Sequence, residues 1–290
     1  MSLPAASSRV LIQGITGREG ARMARWMAAS GSLVVAGVVP GKGGQEADGW
    51  PVFDAVRDAP TADVACVVVP PAHASSAVQE ALSAGIRFVH VLTEDVPLHE
   101  AVEIRRRAKA AGACVLGPGS VGWLRMPDVR IGYIGGERPF SGALKEGDIA
   151  ILSTSGGMAN ELMAAVSRAG EGIRLAIATG GGRVVGTDLR EAVAIAEADP
   201  EVRRLVVFAE PGQPILRQWE TGPLPSKPLV LFFPGAALDA LPRGLPYGHT
   251  GAVLGEDEPS VVECRARLAR RGIVLATSVP ELVERVKGLP

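Results

Sequence analysis

The stretch "VLIQGITGREGARMARWM", residues 10–27, passes from a β-branched apolar run through a glycine-rich turn into an amphipathic helix. Gly14, Gly17 and Gly20 recur at every third position. Lacking a Cβ, each lets the chain turn tightly or come close to a ligand. Strand, glycine turn and helix in that order open a βαβ unit. The N–H groups at such a helix start, backed by the positive end of its dipole, suit a pyrophosphate. The same glycines also serve a tight turn that binds nothing.

The alternation continues outward. In the first half, strands are expected at "RVLIQG", "LVVAGVV", "VACVVVP", "FVHVLT" and "CVLG", with helices near 19–30, 74–84 and 98–111. A second series follows: strands "DIAILS", "IRLAIATG", "RRLVVFAE", "PLVLFF" and "GIVLAT", with helices near 158–169, 188–198, 259–271 and 279–287. Short strands alternating with helices mark an α/β fold built on parallel sheets. From Trp123 to Lys145 the periodicity fades among glycines and prolines. Two doubly wound domains are therefore expected, over 1–124 and 146–290, joined by a connector at 125–145.

The totals agree with two soluble domains. The chain has 290 residues, 47% of them apolar and 21% charged, which is ample core material for two units of roughly 100–150 residues. A net charge of −1 gives no electrostatic case for nucleic acid or an anionic membrane. Cys66, Cys114 and Cys264 are odd in number and far apart, against both a disulfide framework and a zinc site. The opening "MSLPAASSRVLIQG" lacks the pattern of a signal peptide, and no apolar run approaches the ~18 residues of a membrane span. A reducing cytoplasm is the expected compartment.

Candidate ligand groups cluster where strands end. After the second strand, "AGVVPGKGG" offers Lys42 between glycines and no acid for ribose hydroxyls. A cation there suits an additional phosphate, on NADP or at the 3′ position of coenzyme A; a solvated turn lysine is the plain alternative. Thr93 and Glu94 of "LTEDVP" could bond a base or pantetheine amides, or cap the next helix. In "DIAILSTSGGMANELMAAV", Ser155, Gly156 and Gly157 start a helix whose free N–H groups could cradle one phosphate. Ser155 also suits an ordinary N-cap. Glu210 ends the strand "RRLVVFAE" and could fix a histidine tautomer or simply face solvent. His249, one of four histidines, stands in "PYGHTGAVLG" between Gly248 and Thr250-Gly251, unusually bare surroundings for a core histidine; a turn residue that happens to be histidine is the plain alternative.

Together, "QGITGREG", "VVPGKGG", "LTEDVP", "GPGSVG", "STSGGMANE", "AEPG" and "GHTGAVLG" follow one another in a family's order and spacing. Over nearly its full length the chain resembles the α subunit of succinyl-CoA synthetase and related ADP- or GDP-forming acid–CoA ligases. The resemblance implies a Rossmann-like coenzyme A-binding domain followed by a flavodoxin-like ligase domain. It implies that His249 is phosphorylated in turnover, with Glu210 as its partner and Ser155, Gly156 and Gly157 binding the phosphate. Coenzyme A would be held by Thr16, Gly17, Arg18, Glu19, Lys42, Leu92, Thr93 and Glu94. No metal ligand is expected in the chain itself.

The chain also departs from the succinate-specific pattern. Where S-R-S-G-T-L-T-Y-E is usual it reads "STSGGMANE", so Thr154 replaces an arginine and Asn160 takes the substrate-region tyrosine position. This form, with "GPGSVG", looks more like ATP-citrate lyase and citryl-CoA synthetase. "GGGRVVG" puts Arg183 where an acid is expected, and "AEPGQ" introduces Pro211. The implied reaction forms an acyl phosphate from ATP or GTP, lets coenzyme A displace the phosphate, and uses His249 as the shuttle. With no P-loop in the chain, the nucleotide and Mg²⁺ are expected on an ATP-grasp β subunit. A citryl-CoA or malyl-CoA synthetase-type subunit, a non-catalytic coenzyme A-binding regulator and an NADP-dependent oxidoreductase are the alternatives.

Overall fold

The computed structural model describes residues 3–137, 144–244, 255 and 258–290, with the backbone of 246–247 and 252–253. Chain order begins with β1 (Arg9–Gln13), α1 (Arg18–Ala29), β2 (Leu33–Val38), β3 (Glu46–Ala47), β4 (Trp50–Phe53) and β5 (Val64–Val67). Next come α2 (Ala74–Ser83), β6 (Phe88–Val91), α3 (Leu98–Ala111) and β7 (Cys114–Leu116). These strands form one sheet in the order β3-β4-β2-β1-β5-β6-β7. All its pairings are parallel except the short β3–β4 hairpin. Strand order reverses at β1, the switch point where such sheets open a ligand crevice. Every residue of β5, β6 and β7 is buried, as in a sheet covered on both faces. Helix α1 buries Gly20, Met23, Ala24 and Met27, a single stripe at helical spacing.

The second half begins with β8 (Gly122–Arg125) and β9 (Val129–Gly132), then β10 (Glu146–Ser153), α4 (Gly156–Arg168), β11 (Ile173–Ala178) and α5 (Leu189–Ala198). It continues with β12 (Arg204–Phe208), α6 (Pro214–Thr221), β13 (Leu229–Phe232), β14 (Pro246–Tyr247) and β15 (Ala252–Val253). It ends with α7 (Val261–Arg270), β16 (Val274–Ala276) and α8 (Val279–Lys287). The sheet order is β16-β13-β12-β10-β11-β8-β9. Its parallel part has the flavodoxin-like order 2-1-3-4-5 when β10, β11, β12, β13 and β16 are numbered along the chain. Side chains cap four of the helices: Ser155 on α4, Asp188 on α5, Ser260 on α7 and Ser278 on α8.

Within the expected connector at 125–145, β9 and the last residue of β8 are strand. β8 and β9 form an antiparallel hairpin that extends the second sheet through β11. Each has four residues, too few to show a period, and both cover core: Trp123 and Ile131 are buried. Trp123 meets Phe88 of β6 edge-on, with ring centroids 5.5 Å apart. One hydrophobic cluster thus runs from the first sheet into the second. Backbone bonds reinforce the join: Gly117 N–H donates to Thr179 O at 3.0 Å and Thr187 N–H to Val115 O at 2.7 Å. Among the described residues, no helix is long and apolar enough to cross a membrane.

Candidate functional site

Three cavities lie end to end across the C-terminal ends of the strands. The first, about 690 Å³, is walled by the glycine loop after β1, the ends of β2 and β5, and α2. The second, about 820 Å³, shares Gly17, Val68 and Val69 with it and extends along Arg18, Glu19, Thr93 and Glu94 to Tyr133. The third, about 380 Å³, shares Glu94 with the second and lies between the two sheets, against Gly119 and the loop Gly181–Val184. A path therefore leads from the first sheet to the second.

The glycine loop is shaped by close contact. Gly14 has a φ of +90°, and a Cβ there would lie 2.1 Å from Val68 O; one at Gly20 would lie 2.3 Å from Gly14 O. Both glycines are required by packing. Gly17 is different: it is the N-cap of α1, and no side chain caps this helix. Its first-turn donors face the junction of the first two cavities with no side-chain cap among the described residues, which suits a phosphate. Lys42 is brought to the same place, its Nζ donating to Thr16 Oγ1 at 3.0 Å.

The neighbouring charges are arranged around Glu19. Its carboxylate accepts from Arg22 at 2.6 Å, Arg18 at 3.1 Å and the Tyr133 hydroxyl at 3.1 Å. Desolvation opposes ionisation, but the bonds from Tyr133, Arg22 and Arg18 outweigh it and hold the carboxyl below its ordinary value. Tyr133 follows β9, so the second sheet's hairpin reaches the start of α1. Sequence reasoning missed this residue; an isolated tyrosine in an aperiodic stretch carries no signal. Leu92 continues the ladder of β6, donating to Val67 O at 3.1 Å, and Thr93 Oγ1 donates to Val69 O at 2.7 Å. Thr93 thereby holds the turn and presents Glu94 to the second and third cavities.

The serine-glycine turn of α4 adjoins this path. A Cβ on Gly119 would touch Glu94 Cγ at 3.7 Å, and one on Gly156 would overlap Val121 Cγ1 at 2.4 Å. The segment 119–121 thus separates Glu94 from the start of α4 by one layer of contacts. Ser153 braces the turn, its Oγ bonding both the N–H and the carbonyl of Ser155. Ser155 Oγ accepts from Met158 N–H at 3.4 Å, so the ordinary capping role is present. Gly157 has nothing within 4 Å of an added Cβ among the described residues. Thr154 is buried, and its Oγ1 has no partner among the described residues. Asn160 Oδ1 accepts from Gly135 N–H at 2.8 Å, tying α4 to the segment after β9.

Glu210 belongs to the same end of the sheet. β10 and β12 are adjacent and parallel with Ser153 opposite Phe208, so Ser155 and Glu210 each lie two residues beyond the paired positions. Pro211 is buried, and a Cβ on Gly235 would come 3.0 Å from its ring. Arg183 is exposed in the interdomain cleft. His249 lies outside the described residues. No group of three or more His, Cys, Asp or Glu able to hold a metal ion occurs among the described residues.

The first two cavities fit an extended nucleotide bearing several phosphates: apolar valine walls at one end, an uncapped helix start and a lysine at the middle, and polar turns beyond. Residues 6–95 match the family described as CoA binding domain. The chain is 36% identical over 282 residues to the ADP-forming sulfoacetate-CoA ligase subunit SauD of Bilophila wadsworthia, covering 91% of this chain and 93% of that one. It is 32% identical over 279 residues to the succinate–CoA ligase [ADP-forming] subunit alpha 2 of Archaeoglobus fulgidus, covering 91% and 92%. The fold is shared with ATP citrate lyase from Methanothrix soehngenii in complex with citrate and coenzyme A. That match has a TM-score of 0.86 at 24% identity and covers 98% of this chain but 49% of the lyase chain.

Proposed function

The chain belongs to the α-subunit family of ADP-forming succinate–CoA ligases and related acid–CoA ligases, and on that premise we propose that it relays phosphate through His249 while its N-terminal domain holds coenzyme A. The full reaction joins a carboxylic acid and coenzyme A in a thioester as ATP becomes ADP and phosphate. The observation that carries the reading is the continuous path from the Thr16–Lys42 pair, past Glu94, to the layer beside α4. A long ligand anchored at the first sheet can reach the second along it.

Coenzyme A, when bound, supplies the thiol nucleophile. Lys42, Thr16 and the α1 amides hold its phosphates, and Leu92, Thr93 and Glu94 line its course. The N–H groups of Gly156 and Gly157, with the Ser155 hydroxyl, stabilise the phosphoryl group, a preorganised contribution often worth a few kcal/mol in a dry site. Glu210 accepts the N–H of one imidazole nitrogen of His249, which leaves the other free as nucleophile. Nucleotide and Mg²⁺ are held by an ATP-grasp β subunit. The acid is small with a second acidic group, as succinate and sulfoacetate both are, and Arg183 in the cleft offers that group a cation. Citrate and malate belong to the same class.

The test uses the chain with and without its partner. The chain alone should bind coenzyme A in a calorimeter yet take no label from γ-labelled ATP. With the partner it should acquire acid-labile label, which is lost in His249→Asn. Label without the partner, or label surviving that substitution, would overturn the relay. Turnover across succinate, sulfoacetate, malate and citrate then names the acid.

A further inference from the structure

Gln13, the last residue of β1, lines the 690 Å³ cavity and is 3% exposed. Its carboxamide is locked. Nε2 donates to Ala77 O at 3.1 Å and to Glu80 Oε2 at 3.0 Å, while Glu80 Oε1 accepts from Val56 N–H at 2.8 Å. Exchanging the amide's nitrogen and oxygen would set an acceptor against two acceptors, so the network fixes its orientation. Oε1 is left as a buried acceptor with no partner among the described residues. Leaving such an atom unmatched is costly, so the position calls for a donor from whatever fills the cavity.

We propose that Gln13 selects the adenine end of coenzyme A, its Oε1 accepting a hydrogen bond from the exocyclic amino group. The inference rests on coenzyme A being the ligand of this domain. Thr16, Lys42 and the start of α1 take the phosphates at the junction of the two cavities. The groove beyond them leads to the second sheet and takes the thiol arm. The base is left to the 690 Å³ cavity, where Val38, Val39, Val68 and Val69 give apolar walls for a flat ring. An amino group at the purine 6 position meets Oε1 as a donor; an oxo group there sets acceptor against acceptor. Glu80 is the positioning residue that keeps the amide from turning.

Calorimetric titration of the full chain with coenzyme A and with its deaminated analogue, hypoxanthine replacing adenine, tests this. The wild type should bind the analogue about 10- to 100-fold more weakly, the range set by one unmatched buried polar group. In Gln13→Met that penalty should vanish. In Glu80→Gln it should shrink, because the Gln13 amide can then turn. Equal affinity of the wild type for both ligands overturns the proposal and leaves coenzyme A binding intact; a pantetheine amide as the donor would give that outcome. A full penalty persisting in Gln13→Met also overturns it. Failure of the wild type to bind either ligand refutes the coenzyme assignment itself.

Discussion

Gly156 and Gly157 are neighbours at the start of α4, yet a methyl group would meet different surroundings at each. At Gly156 it overlaps Val121; at Gly157 it meets nothing within 4 Å among the described residues. Alanine at 157 should therefore leave the fold intact and raise stability by up to about 1 kcal/mol, because glycine is the poorer helix former. If a phosphoryl group comes to that surface, the same substitution should still lower phosphoenzyme formation. Urea midpoints and label incorporation on Gly157→Ala separate the two effects, and unchanged labelling would remove Gly157 from the cradle. The sequence singled out both glycines, but steric need distinguishes them only in three dimensions. Lys42 and Thr16 are similar: each is suspect alone, and only folding makes them one donor–acceptor pair. Gln13 offered no signal, because its importance lies in contacts made 64 and 67 residues away.

At the scale of elements, α3 and the start of α5 are pinned by Arg105. Its guanidinium donates to Val185 O at 3.0 Å and Asp188 Oδ2 at 2.8 Å, and lies 3.5 Å from Glu191. Glu191 also pairs with Lys109 of α3 and closes the capping box with Asp188. These groups are about one-third exposed or less on the Arg105–Asp188–Glu191 side, so solvent screens part of the attraction. Arg105→Met should cost about 1–2 kcal/mol by urea denaturation, less at high salt. By loosening the loop that carries Arg183, it should also raise KM for the acid more than it lowers kcat. The capping signals of α5, α7 and α8 are local and legible. Short elements are not: α6 has eight residues and begins with Pro214, and the β8–β9 hairpin has four-residue strands. Pairing partners elsewhere in the chain stabilise such elements, so their own sequence shows no period.

Across the whole molecule, the two sheets share a buried histidine. His90 of β6 is fully buried, its Nε2 bonding Ser120 O at 2.8 Å, and a Cβ on Gly132 of β9 would touch its ring at 2.7 Å. Burial pushes its pKa down to about 4, against the smaller opposing effect of the Ser120 carbonyl. Between that value and the unfolded value of about 6.5, the unfolded chain binds a proton that the folded chain does not. Stability is thus lost as pH falls through this window, by about 2 kcal/mol between pH 7 and pH 5 from this group. Urea midpoints across that range should fall less steeply in His90→Gln, which keeps a donor for Ser120. An unchanged slope would place the acid sensitivity elsewhere.

The sequence by itself determined the two α/β units, the glycine turns at their ligand-facing ends and the family motifs, because these depend on local periodicity and on residues with special backbone freedom. The tertiary structure decided which of those turns share a cavity, that the hairpin after β7 belongs to the second sheet, and that Gln13 and Tyr133 line adjoining cavities. Those facts depend on strand order and on contacts between residues far apart along the chain, where side-chain periodicity carries no information.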